Sequence, residues 1–213
     1  MLDITAQINV LADRVHALRP THPRLLMAIS GAPASGKSTL AGELVRRLRL
    51  QKCPAEVVPM DGFHLDNAVL DARGLRARKG APETFDAAGF VAMVRRLKAP
   101  GEVVVPLFDR ARDIAIAGAQ VIPHDCPVVV VEGNYLLFDE GPWSALAPLW
   151  DLSVRVDVPM DELRGRLIQR WLSHGLSRAA AIRRAESNDI PNAQRVIDRA
   201  LPAEIHFPPR TTP

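Results

Sequence analysis

Cysteine is nearly absent from this chain, which holds only Cys53 and Cys126. Two cysteines cannot form the disulfide framework of a small secreted protein, so we expect both to be small apolar residues in or beside strands. The sequence also lacks a secretory leader pattern and any apolar run of membrane-spanning length. These absences indicate a protein of the reducing cytoplasm and argue against a membrane as its partner.

A strong excess of charge is missing too. The formal net charge is +3 over 213 residues, and the arginines are scattered through helical patterns rather than massed in one tract. We therefore expect no nucleic-acid partner, because local anion sites account for so small a surplus. No linker, repeat or low-complexity segment divides the chain, which predicts a single domain over residues 1–213.

The chain does contain a phosphate-binding motif, Gly-Ala-Pro-Ala-Ser-Gly-Lys-Ser-Thr at residues 31–39, which matches the pattern G-x-x-x-x-G-K-[ST]. In such a P-loop, backbone N–H groups wrap the nucleotide phosphates, Lys37 reaches the β- and γ-phosphates, and Ser38 ligates Mg²⁺. The competing interpretation, a glycine turn before an ordinary helix, is disfavoured by the flanking strand and helix patterns. The predicted ATP-binding residues of the loop are Gly31, Ala32, Pro33, Ala34, Ser35, Gly36, Lys37, Ser38 and Thr39.

Valine-rich runs alternate with segments of helical period, which is typical of an α/β fold with a parallel sheet and crossover helices. The predicted strands are Arg24–Ser30, Glu56–Met60, Glu102–Phe108, Pro127–Glu132 and Leu152–Val158. The predicted helices are Ile4–Leu18, Leu40–Leu50, Asp86–Lys98, ended by Pro100 and Gly101, then Asp161–Ser173 and Ser177–Glu186.

Polar residues follow two of the predicted strands, where an open parallel sheet places its ligand site. Asp61 and His64 follow the second strand. Asp61 is the candidate general base, with a turn cap as the alternative, and His64 is a substrate ligand or a cap. Glu132 follows the fourth strand and is the candidate second magnesium-associated acid, with an exposed strand end as its alternative. Tyr135 lies in the wall of an acceptor pocket or in ordinary packing.

These motifs, in this order and spacing, resemble the pantothenate kinase, uridine kinase and phosphoribulokinase group. The resemblance covers the chain from the P-loop to about Asn192 and rests on five blocks. The blocks are Gly31–Thr39, Met60–His64, Arg78–Asp86, Pro106–Asp109 and Val131–Gly133. The resemblance implies a P-loop NTPase fold, a three-layer α/β/α sandwich with a mainly parallel five-stranded sheet and a small helical lid. It also implies ATP with Mg²⁺ and phosphorylation of a small-molecule hydroxyl, with Asp61 as the catalytic carboxylate.

The same resemblance implies a lid at about residues 164–190 whose arginines cover the phosphates. Arg166 and Arg170 share one helix face, and guanidinium groups there stabilise the charge of the transferred group when a lid closes. Solvent-facing arginines are the alternative. Asn192 belongs to a segment similar to one near the adenine in pantothenate kinases, and a plain helix-ending turn is the alternative there.

The acceptor is expected to bind at about residues 61–86, and the compact fructose-transport-associated or nucleoside/nucleotide kinase-like branch is the most similar part of the group. A sugar or polyol is therefore the first choice, with uridine-type and pantothenate-type acceptors as alternatives. The candidate pocket residues are His64, Arg76, Lys79, Glu83, Phe85 and Tyr135. Arg76 and Lys79 also suit an anionic group on the acceptor, and a solvated basic loop is the alternative for Arg76.

Two further nucleotide-binding classes are disfavoured by absences, since the chain has neither an Asn-Lys-x-Asp element for guanine nor a Leu-Ser-Gly-Gly-Gln transporter signature. A nucleotide-binding regulatory ATPase stays open, because binding residues alone do not establish transfer. The oligomeric state is not encoded in any visible motif. Members of the resembling group are often dimers or tetramers, so a homodimer is allowed.

Overall fold

The computed structural model describes residues 3–99 and 101–208, so Pro100, predicted to end a helix, and the end of the proline-rich tail lie outside the described residues. The predicted α/β class is confirmed. The helices are α1 (Thr5–Leu18), α2 (Lys37–Leu50), α3 (Asn67–Ala72), α4 (Ala87–Lys98), α5 (Met160–Ser173), α6 (Arg178–Arg184) and α7 (Ile190–Asp198). The strands are β1 (Leu25–Gly31), β2 (Ala55–Pro59), β3 (Val103–Asp109), β4 (Ile114–Ile122), β5 (Val128–Gly133), β6 (Leu152–Val156) and β7 (Ile205–Phe207).

The central sheet has five parallel strands in the order β2-β5-β1-β6-β7. Its register sets Glu132 of β5 opposite Ile29 of β1 on one side and Pro59 of β2 on the other. Because parallel strands end at the same sheet edge, the residues that follow β1, β2 and β5 meet there.

One predicted member of this sheet is wrong. The run Glu102–Phe108 does not enter the central sheet but pairs antiparallel with β4 in a separate two-stranded sheet. Its burial alternates, with Val103 and Val105 buried and Val104 exposed, as in a strand with one solvent-facing side. The fifth place in the sheet belongs instead to β7, a three-residue strand too short to give a sequence signal.

Alternate residues of β1 point into two apolar layers, which gives the three-layer architecture. Leu25, Met27 and Ile29 pack with the buried faces of α1 and α2. Leu26 and Ala28 face the other layer, which contains the buried face of α4. Both sides of the strand are therefore buried, as its continuous apolar run predicts.

An arginine holds the opposite edge of the sheet together. Arg24, immediately before β1, is only 4% exposed. Its guanidinium donates to the carbonyl oxygens of Cys126 (3.0 Å), Leu97 (3.3 Å), Gly101 (2.9 Å), Pro123 (2.7 Å) and His124 (3.3 Å). This one side chain thus joins the end of α4 to the segment between β4 and β5.

The helices after β6 form one nearly continuous unit. Ser177 caps α6 through its hydroxyl, and a π-helical segment, Ala185–Asp189, leads directly into α7. A plain helix-ending turn before Asn192 is therefore wrong, because the backbone stays helical through this region. π-Helical turns are rare and are often found at functional sites. Within the described residues, no helix combines the length and apolarity needed to cross a bilayer.

Candidate active site

The loop between β1 and α2 is shaped to hold an anion. Ala34 and Gly36 both have positive φ, 65° and 95°, a conformation that turns successive N–H groups toward one side. At Gly31 a Cβ would lie 2.7 Å from both the Val156 carbonyl oxygen and the Ser35 hydroxyl, so no larger residue fits. The Ser35 hydroxyl is buried without a hydrogen-bond partner among the described atoms. The cradle therefore suits the phosphates that the sequence motif predicts.

Three charged groups of the predicted site meet beside this cradle. Glu132 is 6% exposed near the end of β5, and burial raises its pKa, although Lys37 and a hydrogen bond from the Ser38 hydroxyl oppose the shift. Burial lowers the pKa of the Lys37 ammonium, while the charges of Glu132 and Asp61 act to raise it. Lys37 therefore lies near enough to both carboxylates for each of them to stabilise its charge.

The residues present fit a magnesium ion. Ser38 and Glu132 offer a hydroxyl and a carboxylate oxygen within hydrogen-bond distance of each other, which are the hard ligands that Mg²⁺ prefers. Among residues 3–99 and 101–208 no group of three or more His, Cys, Asp or Glu side chains could hold a metal by itself. That donor set matches an ion shared between a few protein oxygens and nucleotide phosphates rather than one in an all-protein cage.

Asp61 lies in a short 3₁₀ turn directly after β2, with its side chain 22% exposed to the cleft. The Asp61 carbonyl oxygen accepts a hydrogen bond from His64 Nδ1 at 2.8 Å, which leaves His64 Nε2 as the unprotonated nitrogen. The His64 ring lies between Phe85 and Phe108, with ring centroids 4.1 and 4.5 Å away. Burial lowers the pKa of His64, so the ring is neutral near pH 7.

A cleft of about 700 Å³ brings most of the predicted residues together. Its lining includes the P-loop from Pro33 to Thr39 apart from Ser35, and residues of the predicted acceptor and lid regions. The predicted site residues that line it outside the P-loop are Asp61, His64, Arg76, Lys79, Phe85, Glu132, Arg170 and Asn192. Arg166 is set back from this lining, and its guanidinium donates to the Ala34 carbonyl oxygen at 3.0 Å and to Glu162 at 2.6 Å.

Lys79 has little hydrogen-bonding capacity left for the molecule that would receive the phosphoryl group. Its side chain is 10% exposed. The ammonium donates to Asn67 Oδ1 at 2.7 Å and to the backbone oxygen of Asp113 at 2.9 Å, and it pairs with the Asp113 carboxylate at 2.9 Å. Three acceptors use all three donors of an ammonium. Arg76, in contrast, makes one long ion-pair contact within the described part of the chain, at 3.4 Å to the exposed Asp71.

Two predicted pocket residues lie outside the cleft. Glu83 pairs with Arg78 at 2.9 Å and with Arg195 of α7 at 3.2 Å. Tyr135 is fully buried, and its hydroxyl donates to the Gly80 carbonyl oxygen at 2.6 Å. The expected pocket wall is therefore not formed by these two residues: Glu83 is held in an ion-pair network, and Tyr135 belongs to the aromatic core that supports the loop from behind.

Several cleft residues were not predicted from the sequence. Arg110 and Asp113 lie at the turn of the β3–β4 hairpin, and Arg110 contacts Asp61 Oδ2 at 2.5 Å. Arg184 also lines the cleft, and its guanidinium carbon lies 5.2 Å from the centroid of the Trp171 ring. Two strand-forming runs, 103–109 and 114–122, are separated by only four residues, and this spacing is a sequence signal that could have predicted the hairpin.

The predicted lid is also joined to the predicted acceptor region. Asn188, buried in the π-helical segment, donates to the Lys79 carbonyl oxygen at 3.0 Å, and Arg184 donates to the Ala77 carbonyl oxygen at 2.8 Å. Asn192 donates to Asn188 Oδ1 at 3.2 Å. The helical segment after β6 therefore contacts the phosphate cradle through Arg166 and the 77–79 loop through these side chains.

Comparison with known proteins gives consistent findings. A family model described as the phosphoribulokinase / uridine kinase family matches residues 26–204. The uncharacterized protein YggC of Escherichia coli (strain K12) is 36% identical over 199 residues, which cover 92% of this chain and 83% of the relative. A Schizosaccharomyces pombe (strain 972 / ATCC 24843) protein provisionally named uridine kinase C227.14 is 33% identical over 192 residues, covering 85% of this chain and 82% of the relative.

A solved structure is similar over nearly the whole chain. The protein comes from Silicibacter sp. TM1040 and is provisionally named a fructose transport system kinase. It is 53% identical with a TM-score of 0.90, and the match covers 94% of this chain and 98% of that chain.

Proposed function

The chain belongs to the phosphoribulokinase/uridine kinase family and is a P-loop kinase, and from this premise we propose that it transfers the γ-phosphoryl group of ATP to a hydroxyl of a sugar or polyol, with fructose as the model acceptor. One observation carries the proposal. Lys37, Glu132 and the carboxylate Asp61 line one cleft at the carboxyl edge of the parallel sheet. Such an arrangement holds a triphosphate on one side and offers a base to a hydroxyl on the other.

The donor half consists of the P-loop and the lid. Backbone N–H groups of the loop and Lys37 bind the phosphates, and Ser38 with Glu132 would hold Mg²⁺, which neutralises charge on the phosphate oxygens when bound. Arg170 lines the cleft from α5. Arg166 donates to the Ala34 carbonyl oxygen, so movement of α5 and the shape of the loop are coupled. We propose that Arg170 contacts the transferred group and that Arg166 fixes the loop.

The acceptor half is built around Asp61. Phosphoryl transfer needs little covalent assistance, so the carboxylate orients the attacking hydroxyl and takes its proton late in the transfer. His64 offers its Nε2 as a hydrogen-bond acceptor for another hydroxyl, and Phe85 and Phe108 present apolar surface beside it. Polar groups set against aromatic rings suit the mixed polar and apolar faces of a sugar. The name of the Silicibacter protein supports fructose as the first acceptor to test.

The test is an acceptor panel with ATP and Mg²⁺ that contains D-fructose, other sugars and polyols, uridine and pantothenate. We expect phosphate on a sugar or polyol, whereas product only from uridine or pantothenate would assign one of those classes. Turnover that is equal with and without every acceptor would favour a regulatory ATPase and contradict the proposal.

Two substitutions separate the halves of the site. Asp61→Asn removes the base without touching the phosphate cradle, so we expect ATP affinity to be kept while transfer falls by about 10²–10⁴-fold. Lys37→Ala should weaken ATP binding as well as turnover. Full transfer activity in Asp61→Asn would refute the assignment of this carboxylate.

A further inference from the structure

Arg110, at the turn of the β3–β4 hairpin, contacts the carboxylate on which the proposed transfer depends. Its guanidinium meets Asp61 Oδ2 at 2.5 Å, although the two residues are 49 positions apart. A carboxylate has two oxygens, and a bond to one fixes the direction in which the other points. Oδ1 is then the oxygen available to a hydroxyl in the cleft.

The backbone keeps these two side chains in register. Gly62, next to Asp61, packs so closely on β3 that a Cβ there would lie 2.3 Å from the Pro106 carbonyl oxygen. The 3₁₀ turn and the hairpin therefore touch backbone to backbone, with no side chain between them. A fixed distance between two main-chain segments gives the Arg110–Asp61 contact a defined geometry even though the arginine side chain is 58% exposed.

The hairpin turn itself is braced at both ends. Asp109 Oδ1 accepts hydrogen bonds from the backbone N–H groups of Ala111 (2.9 Å) and Arg112 (3.0 Å). At the other end Asp113 has φ of 57° and is held by Lys79 and Asn67. Lys79 therefore supports the hairpin, and the turn that presents Arg110 is held by side-chain contacts at both ends.

Arg110 also lines the cleft that contains the donor half of the site. The same cleft is lined by Lys37, Glu132 and Asp61. The positive charge of Arg110 therefore lies in the cavity where the proposed transfer takes place.

We infer that Arg110 is a positioning residue for Asp61. It holds Oδ2 so that Oδ1 faces the attacking hydroxyl, and it receives no proton itself. The inference rests on the proposed role of Asp61 as the base. It adds that the base is held from the hairpin, outside the central sheet and the lid.

The test compares Arg110→Ala and Arg110→Lys with Arg112→Ala, a matched control in the same turn whose guanidinium pairs with Asp109 at 2.7 Å. Two reactions are followed, transfer from ATP to D-fructose and ATP hydrolysis with water as the acceptor. We expect Arg110→Ala to lower kcat at least about 10-fold with KM for ATP nearly unchanged. Arg110→Lys should recover part of the loss, and guanidinium ion added to Arg110→Ala should restore part of kcat.

The double variant gives a second test, because two residues that act together should have non-additive effects on kcat. In Asp61→Asn there is no ionised carboxylate for Arg110 to hold, so Asp61→Asn/Arg110→Ala should be little slower than Asp61→Asn alone. A wild-type kcat in Arg110→Ala, a full additional loss in the double variant, or equal loss in Arg112→Ala would overturn the inference. If the wild type does not phosphorylate fructose, the sugar proposal fails, and the hydrolysis arm still decides the role of Arg110.

Discussion

Replacing the buried Arg24 by methionine tests the idea that one side chain holds the amino edge of the sheet. Methionine keeps an unbranched apolar stem and removes the guanidinium. The carbonyl oxygens of Cys126, Gly101 and Pro123 would each lose a donor now at 2.7–3.0 Å, and two further oxygens would lose weaker contacts at 3.3 Å. Water cannot easily replace the lost donor, because Arg24 is only 4% exposed.

The expected loss of stability follows from the three shorter hydrogen bonds of Arg24. A hydrogen bond from a charged donor contributes roughly 1.5–3 kcal/mol, part of which is offset by the cost of burying the guanidinium. We therefore expect Arg24→Met to lower the free energy of unfolding by about 3–5 kcal/mol. That is a large share of the roughly 5–15 kcal/mol available to a typical domain. The corresponding fall in Tm is about 10 °C for a chain of this size.

Urea unfolding followed by circular dichroism measures the loss, with exposed Arg95→Met as the control for removing an arginine from the same region. Arg24 precedes β1 and the P-loop follows it, about 20 Å away along a seven-residue strand. We therefore expect kcat to be unchanged at a temperature where the variant is folded. A loss below about 1 kcal/mol would contradict the reasoning from buried donors. A large fall in kcat would contradict the idea that Arg24, at the amino edge of the sheet, acts on stability without affecting the site at the carboxyl edge.

Three further predictions concern the cleft. Lys79→Met should lower the free energy of unfolding in urea by about 2 kcal/mol, because three contacts of a nearly buried side chain are lost. A change below about 0.5 kcal/mol would show that these contacts contribute little to stability. Because the pKa of His64 lies below its ordinary value of 6.5, the folded state binds fewer protons than the unfolded chain, so stability should fall as the pH drops below about 6.5. His64→Gln should remove that part of the decline, and an unchanged slope would refute it. Gly133→Ala should destabilise by about 1–3 kcal/mol, since its Cβ would lie 2.5 Å from the Met60 side chain, and wild-type stability would show that the packing there adapts.

The central sheet and its helices were largely predictable, because burial on both faces leaves a signal that survives in a single sequence. The all-apolar runs of β1 and β5 are buried at every residue, and Asp86 caps α4 at the predicted start of that helix. The prediction failed for a segment whose amino-acid composition is typical both of a central strand and of a strand in a separate hairpin. The run that forms β3 is as valine-rich as a central strand, but its burial alternates and it contains Pro106, which cannot donate a hydrogen bond within a sheet.

The site was predictable where chemistry depends on order along the chain and unpredictable where it depends on contacts across it. Asp61 and Glu132 directly follow apolar runs, so the sheet edge predicts their meeting. Arg110 follows a strand whose partner was not recognised, and its approach to Asp61 requires the backbone contact at Gly62. Lys79 could be assigned to the pocket from its sequence block, but its three intramolecular acceptors become visible only in three dimensions.

The hairpin described above also has a consequence for protein engineering. β3 and β4 form their own two-stranded sheet, and the turn between them faces Asp61 through Arg110. Residues 110–112 can therefore be exchanged for those of a relative without altering any strand pairing of the five-stranded sheet. Such an exchange changes the side chain that contacts Asp61 and leaves the P-loop between β1 and α2 unaltered.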